Sequence, residues 1–206
     1  MLRVTKNALF AVLLIASTGF AQSLELAPPT STEAVITPPP VEVIMATSMG
    51  NMTLSLYADK APQTVQNFLA YVDDGFFDNT IFHRVMPGFV IQGGGFNAQL
   101  EKKQTRPPII NEGNNKLANL RGTLSMARTQ DPDSATSQFF INLENNPMLD
   151  SADYRPGYAV FGEVTEGLPI IDMISRVRTG NMKQYQNVPL DSVFILSVRR
   201  KNPLAE

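Results

Sequence analysis

Between Val41 and Val198 the chain divides into eight short β-prone runs, and this segmentation constrains the fold more than any other feature of the sequence. The runs are VEVIMAT, NMTLSLY, TIFHRVM, GFVIQGG, GTLSMA, SQFFINL, YAVFGEV and SVFILSV, each bounded by Gly, Pro, Asn or Asp. Only two stretches carry helical spacing. In APQTVQNFLAYVDDG, Pro62 suits the first turn, Val65, Phe68, Leu69 and Val72 share one face, and Gly75 marks the stop. In LPIIDMISRV, Ile170, Ile171, Ile174 and Val177 recur at the same period.

Many short strands in an open sheet would leave unpaired backbone groups at its edges, and closure removes them. The expected fold is therefore mainly β: a closed eight-stranded antiparallel β-barrel capped by two α-helices. Alternation within the runs is imperfect, so periodicity alone does not separate a barrel from a sandwich. Residues 97–120 show no period and read as a long loop, of the kind that often carries function.

Three segments precede or compose this domain. Arg3 and Lys6, then ALFAVLLIA (8–16), then Gly19-Phe20-Ala21 have the order of an export signal with cleavage after Ala21, so residues 1–21 read as a signal peptide and the periplasm as the destination. The apolar run is short of the ~20 residues that span a bilayer, which weighs against an uncleaved anchor and against membrane insertion once the signal is removed. Residues 22–40 turn to Pro, Thr, Ser and Ala and read as a linker biased toward extended polyproline II; a PxxP ligand is the less favoured alternative. The domain proper is 41–206, and a single such domain is expected to act as a monomer.

Composition closes off several chemistries. The chain has no cysteine and one histidine, His83, so Cys nucleophiles, Cys/His zinc sites and disulfides are excluded, and no lipid-anchoring cysteine follows the leader. No G-x-S-x-G accompanies His83 to build a serine hydrolase. The formal charge of −2 becomes −4 once Arg3 and Lys6 are removed, and no basic stripe points to a nucleic-acid partner. Asp131, Asp133 and Glu112 lack the spacing of a calcium loop, and no metal or cofactor is expected. Gln92-Gly93-Gly94-Gly95 lacks a phosphate-loop Lys-Ser/Thr, so its glycines are better explained by close packing or positive φ.

What remains is a set of long polar side chains placed among apolar ones: Arg84 and Gln92 in FHRVMPGFVIQGG, Met126 to Arg128 in LSMAR, and Gln138 to Phe140 in SQFFINL. These segments, with RGTLSMAR, YAVFGEV and QNVPLDSVFILS in this order, resemble the cyclophilin-type peptidyl-prolyl cis-trans isomerases over 41–199, the exported bacterial members most of all. The resemblance implies a catalytic role for Arg84 and a proline pocket walled by Phe89, Phe140 and Leu149, with Val90 and Met126 beside them. It implies that Gln92 and Gln138 hold the substrate backbone and the arginine, and that Ala127 and Arg128 form the edge along which the peptide lies. Two positions depart from the pattern. Met148 stands where cyclosporin-sensitive members have tryptophan, and Tyr158 where many eukaryotic members have a pocket-edge histidine.

The implied reaction suits so sparse an inventory. Rotation about an amide bond meets a barrier of ~18–20 kcal/mol, and X-Pro bonds interconvert over tens to hundreds of seconds. Accelerating this needs neither nucleophile nor base; it needs a donor to the nitrogen lone pair that localises in the twisted amide, and a dry pocket that grips the ring. The implied partners are proline-containing segments of exported proteins that are unfolded or folding. A non-catalytic proline-peptide binding module or holdase using the same groove is the alternative function. The bland readings are a structural ion pair for Arg84, a satisfied core histidine for His83, and plain core for Phe89, Phe140 and Leu149.

Overall fold

The computed structural model describes residues 41–201, so the leader and linker expected over 1–40 lie outside the described residues. In chain order the elements are β1 (Val41–Thr47), β2 (Gly50–Leu56), α1 (Pro62–Asp73), β3 (Thr80–Ile81), β4 (Arg84–Met86), β5 (Val90–Gly93), β6 (Thr123–Met126) and β7 (Phe139–Asn142). A 3-10 turn (Pro147–Leu149) follows, then β8 (Val160–Glu166), α2 (Leu168–Ser175), β9 (Thr179–Met182), β10 (Tyr185–Pro189) and β11 (Phe194–Arg200).

Nine of these strands form one antiparallel sheet, in the order β3-β11-β1-β2-β8-β6-β7-β5-β4. The count differs from the expected eight because TIFHRVM is two strands. The backbone N–H of Phe82 donates to Val193 O at 2.9 Å and its ring is fully buried, so Phe82 and His83 interrupt the run. The two halves, β3 and β4, sit at opposite ends of the hydrogen-bonded order while being neighbours in sequence. The sheet is thus a curled half-barrel whose ladder does not close, in place of the closed eight-stranded barrel that was expected.

The hairpin β1–β2 turns on Ser48-Met49, with Thr47 opposite Gly50. Helix α1 buries Val65, Phe68, Leu69 and Val72 as its spacing predicts, and α2 buries Ile171 and Ile174 but ends before Val177. Both faces enter one core cluster that also holds Phe77, Phe82, Phe139 and Phe161. Phe68 lies with ring centroids 5.0 Å from Phe77, 5.7 Å from Phe139 and 5.2 Å from Phe161, the tilted and edge-on spacing that aromatic quadrupoles favour.

Residues 97–120 contain no named strand or helix, as read from the sequence, and are tied down by side chains. Asn97 Oδ1 accepts from the backbone of Gln99 and Glu101, and Glu112 reaches back to the first turn of α1. The β9–β10 ribbon was not legible beforehand. Its residues mix Thr179, Asn181, Gln186 and Asn187 with Met182 and Tyr185, and the two buried ones, Val188 and Pro189, are adjacent, so no two-residue alternation marks the strands.

Candidate active site

Register across three strands builds the centre of the site. Arg84 on β4 lies opposite Gln92 on β5, and Gln92 lies opposite Phe140 on β7. Because side chains alternate along a strand, Phe139 enters the core, fully buried, while Phe140 turns to the other face. A row of Arg84, Gln92 and Phe140 therefore crosses the sheet on the face away from the core.

The connection from β4 to β5 is a tight turn that the sequence Met86-Pro87-Gly88-Phe89 specifies. Gly88 has φ +71°, and the N–H of Phe89 donates to Met86 O at 3.0 Å, the arrangement of a type II turn with Pro then Gly at its centre. The turn presents Phe89 beside the row. Its carbonyl accepts from Leu143 N at 2.9 Å and from Asn146 Nδ2 at 3.0 Å.

Arg84, Phe89, Val90, Gln92, Ala127, Arg128, Phe140, Leu149 and Tyr158 line a single cavity of about 140 Å³. Nine of the eleven residues singled out in the sequence thus come together. Its size is close to the ~150 Å³ of a dry cavity that accepts one benzene ring, so a five-membered ring fits. The other two stand outside the wall. Met126 is buried in the core cluster, and Gln138 lies behind Gln92, accepting from its Nε2 at 3.1 Å. Gly95 makes room for Gln138: a Cβ there would lie 2.5 Å from Gln138 Cγ.

Arg84 is half-buried, and its Nη1 donates to Gln92 Oε1 at 3.4 Å. Among the described residues it forms no ion pair, so the structural reading of this charge has no partner to support it. Arg128 is held differently. Its guanidinium lies 4.5 Å over the Tyr158 ring, Nη1 donates to Thr129 O at 3.0 Å and Nη2 to Pro156 O at 2.8 Å. Tyr158 meets Phe140 edge-on at 5.5 Å, and its N–H donates to Leu149 O at 2.9 Å. The far wall is in this way one connected stack.

His83 belongs to the support, not the cavity. Its ring packs 4.5 Å from Phe96, its Nδ1 is buried without a partner, and burial followed by the Arg84 charge depresses its pKa to about 4. It is a neutral core group at physiological pH.

A buried polar layer behind the pocket had no signal in the sequence. Asn146 Nδ2 donates to Asn142 Oδ1 at 2.8 Å as well as to Phe89 O; Asn142 Nδ2 donates to Thr123 Oγ1 at 2.9 Å; Asn119 donates to Asp150 Oδ1 and accepts from Ser125 Oγ at 2.7 Å. These contacts fasten the Phe89 turn and the segment carrying Leu149 to β6 and β7. Asn in such runs is indistinguishable from loop Asn until the fold brings them together.

The chain belongs to the cyclophilin-type peptidyl-prolyl cis-trans isomerases, enzymes of the class EC 5.2.1.8. The family model described as cyclophilin type peptidyl-prolyl cis-trans isomerase/CLD matches residues 42–200. Among curated relatives, peptidyl-prolyl cis-trans isomerase A of Dickeya dadantii is 53% identical over 157 residues, covering 76% of this chain and 83% of that protein. Peptidyl-prolyl cis-trans isomerase B of Escherichia coli is 50% identical over 159 residues, covering 76% and 97%. A cyclophilin type peptidyl-prolyl cis-trans isomerase from Cryptosporidium parvum, solved in the presence of the dipeptide Ala-Pro, superposes with a TM-score of 0.64 at 26% identity, covering 79% of this chain and 99% of that one.

Proposed function

We propose that the cavity between Arg84 and Phe140 holds the proline ring of an X-Pro bond, and that Arg84 catalyses its rotation by donating to the amide nitrogen as the bond twists. The observation that carries this is the half-buried guanidinium at the rim of a ring-sized cavity walled on one side by Phe89, Phe140 and Leu149, with no carboxylate pairing it among the described residues. The Cryptosporidium parvum neighbour, solved in the presence of the dipeptide Ala-Pro, supports the choice of ligand.

The twisted amide has a pyramidal nitrogen with a localised lone pair and a less polar carbonyl than the planar ground state. A donor aimed at that lone pair stabilises the transition state and not the ground state, which is the condition for raising kcat. Phe89, Phe140 and Leu149 exclude water around the ring and favour the less polar species. Lowering the barrier by about 6–7 kcal/mol speeds rotation roughly 10⁵-fold. One fixed donor in a dry site supplies ~2.7–4 kcal/mol of this, and ring positioning the remainder.

The decisive test is exchange spectroscopy on an Ala-Pro peptide with the wild type and Arg84→Ala. Acceleration by the wild type and a 10²–10³-fold lower kcat/KM in the variant support the mechanism. Equal acceleration by both removes Arg84 from it.

The clients proposed are exported proteins whose maturation waits on slow X-Pro bonds, in the periplasm, after signal removal at Ala21. This reading stands on the leader sequence alone. Intact-mass measurement of the protein purified from cell fractions tests it: a cytoplasmic pool that retains Met1 to Ala21 would overturn it.

A further inference from the structure

Two guanidinium groups, those of Arg84 and Arg128, line one cavity that no Asp or Glu lines. Arg106, Arg121, Arg199 and Arg200 each meet a carboxylate at 2.9 Å or less, whereas neither cavity arginine has one among the described residues. The nearest carboxylates in sequence are engaged elsewhere: Asp131 Oδ1 accepts from Asp133 N at 3.0 Å, and Asp133 Oδ1 from Asn111 N at 2.8 Å. Arg128 is also fixed in place by the Tyr158 ring and two carbonyls, so its charge is pre-oriented and little rotamer freedom remains to be lost when a ligand meets it. For the reaction proposed above, one cation suffices. The second has no task in twisting a bond.

We infer that Arg128 is a specificity determinant that favours substrates carrying a carboxylate side chain next to the isomerising X-Pro bond, and disfavours those carrying an ammonium there. This rests on the isomerase reading of the cavity. A carboxylate beside the proline would face two positive groups across a partly dry rim, which raises both encounter rate and residence; an ammonium would meet like charge. Because the rim is only half-buried, the preference is a rim-charge effect of about fivefold and is screened by salt.

The test is a matched set of Ala-Pro peptides in which the residue before or after the Ala-Pro pair is Glu, Gln or Lys, with kcat/KM measured for the wild type, Arg128→Gln and Arg128→Glu. For the wild type, Glu should exceed its uncharged isostere Gln about fivefold at roughly 10 mM ionic strength, with Lys below Gln, and the spread should collapse by about 1 M salt. The ratio of Glu to Gln should fall to near one in Arg128→Gln and invert toward Lys in Arg128→Glu, whatever those variants do to the absolute rate. Equal rates for Glu and Gln with the wild type at low salt would overturn the inference, as would a preference unchanged in both variants. If a variant loses all turnover, the wild-type ratio and its salt dependence decide by themselves. Failure to accelerate any peptide would instead strike the isomerase mechanism, so the two failures are distinct.

Discussion

Arg84 and Gln92 face each other across β4 and β5, and the guanidinium leans on the Gln92 amide oxygen through one hydrogen bond of 3.4 Å. Gln92 in turn donates to Gln138 at 3.1 Å. The charge is thereby aimed by neutral amides, which orient it without neutralising it as a carboxylate would.

Gln92→Leu should therefore lower kcat/KM about tenfold by releasing the guanidinium from its orientation, a smaller loss than that of Arg84→Ala because the donor itself remains. Peptide exchange measurements on both variants check this. Losses of equal size would mean that Gln92 contacts the reacting amide itself.

Arg84→Lys keeps the charge and gives up the planar fork. A compact ammonium on a flexible stem neither reaches the same point nor shares donors between Gln92 and the substrate. Activity should stay within about tenfold of the alanine variant, measured on the same peptide. A nearly wild-type lysine variant would show that charge alone, and not the fork, does the chemistry.

His83 gives the fold a pH dependence that the catalytic chemistry lacks. Its pKa is about 4 in the folded protein, because burial and then the Arg84 charge oppose protonation, against 6.5 for the free side chain. Between these values the unfolded chain binds a proton that the folded one refuses, so stability falls as pH drops through the window from 6.5 to 4 and is unaffected by this group above it. The loss approaches about 3 kcal/mol. Urea titrations from pH 7.5 to 4.5 on the wild type and His83→Gln should show a slope in the first that is flattened in the second.

Much of this architecture was legible beforehand, and the failures have local causes. Both helices are marked by apolar residues at helical spacing, the first also by Pro62 in its first turn, and seven of the eight β-runs map onto single strands of the sheet, most with shifted ends. TIFHRVM misled because Phe82, apolar and β-prone, turns its N–H to Val193 and leaves the ladder. Cavity residues were named through a family resemblance, and composition alone could not have separated Phe140, which faces the cavity, from its neighbour Phe139, which is core. The family resemblance puts Met126 beside the pocket, yet its side chain lies in the core, on the face of β6 that pairs with Phe139. The Asn119–Asn142–Asn146 layer is built from contacts between residues 4 to 57 positions apart, which no local pattern encodes.

That layer yields a prediction of its own. Asn146→Ala would remove the Asn146 donor from the buried Asn142 Oδ1 and one of the two donors to Phe89 O, which keeps its bond from Leu143. Unsatisfied buried groups cost about 1–3 kcal/mol. The Phe89 turn would loosen as well, so KM should rise more than kcat falls. Denaturant midpoints and Michaelis parameters measured together would separate this outcome from a purely structural role, which would leave KM unchanged.

Helix α1 begins at Ala61-Pro62 with no side-chain cap of its own, and its free N–H groups are met from across the fold. Glu112 accepts from Gln63 N at 3.1 Å, Thr64 N at 2.8 Å and Thr64 Oγ1 at 2.7 Å, placing a carboxylate at the positive end of the helix dipole. Glu112→Ala should cost about 1–2 kcal/mol, seen as a lower urea midpoint with an unchanged m-value. Since the same bonds anchor the 97–120 loop to α1, amide exchange in that loop should quicken too.

Met148 carries the remaining prediction. The family resemblance puts it where cyclosporin-sensitive members have tryptophan; here the residue is 63% exposed and does not line the cavity, while its neighbour Leu149 does. A methionine here offers neither an indole N–H to donate nor a rigid flat ring to cover a bulky cyclic ligand, though the cavity lined by Phe89, Phe140 and Leu149 is complete without it. Turnover of small X-Pro peptides should accordingly survive at cyclosporin concentrations that silence tryptophan-bearing relatives. Met148→Trp should sharpen inhibition by an order of magnitude or more while changing peptide turnover less than twofold. A nanomolar inhibition constant for the wild type would show that the indole is dispensable and that the pocket wall alone supports the drug.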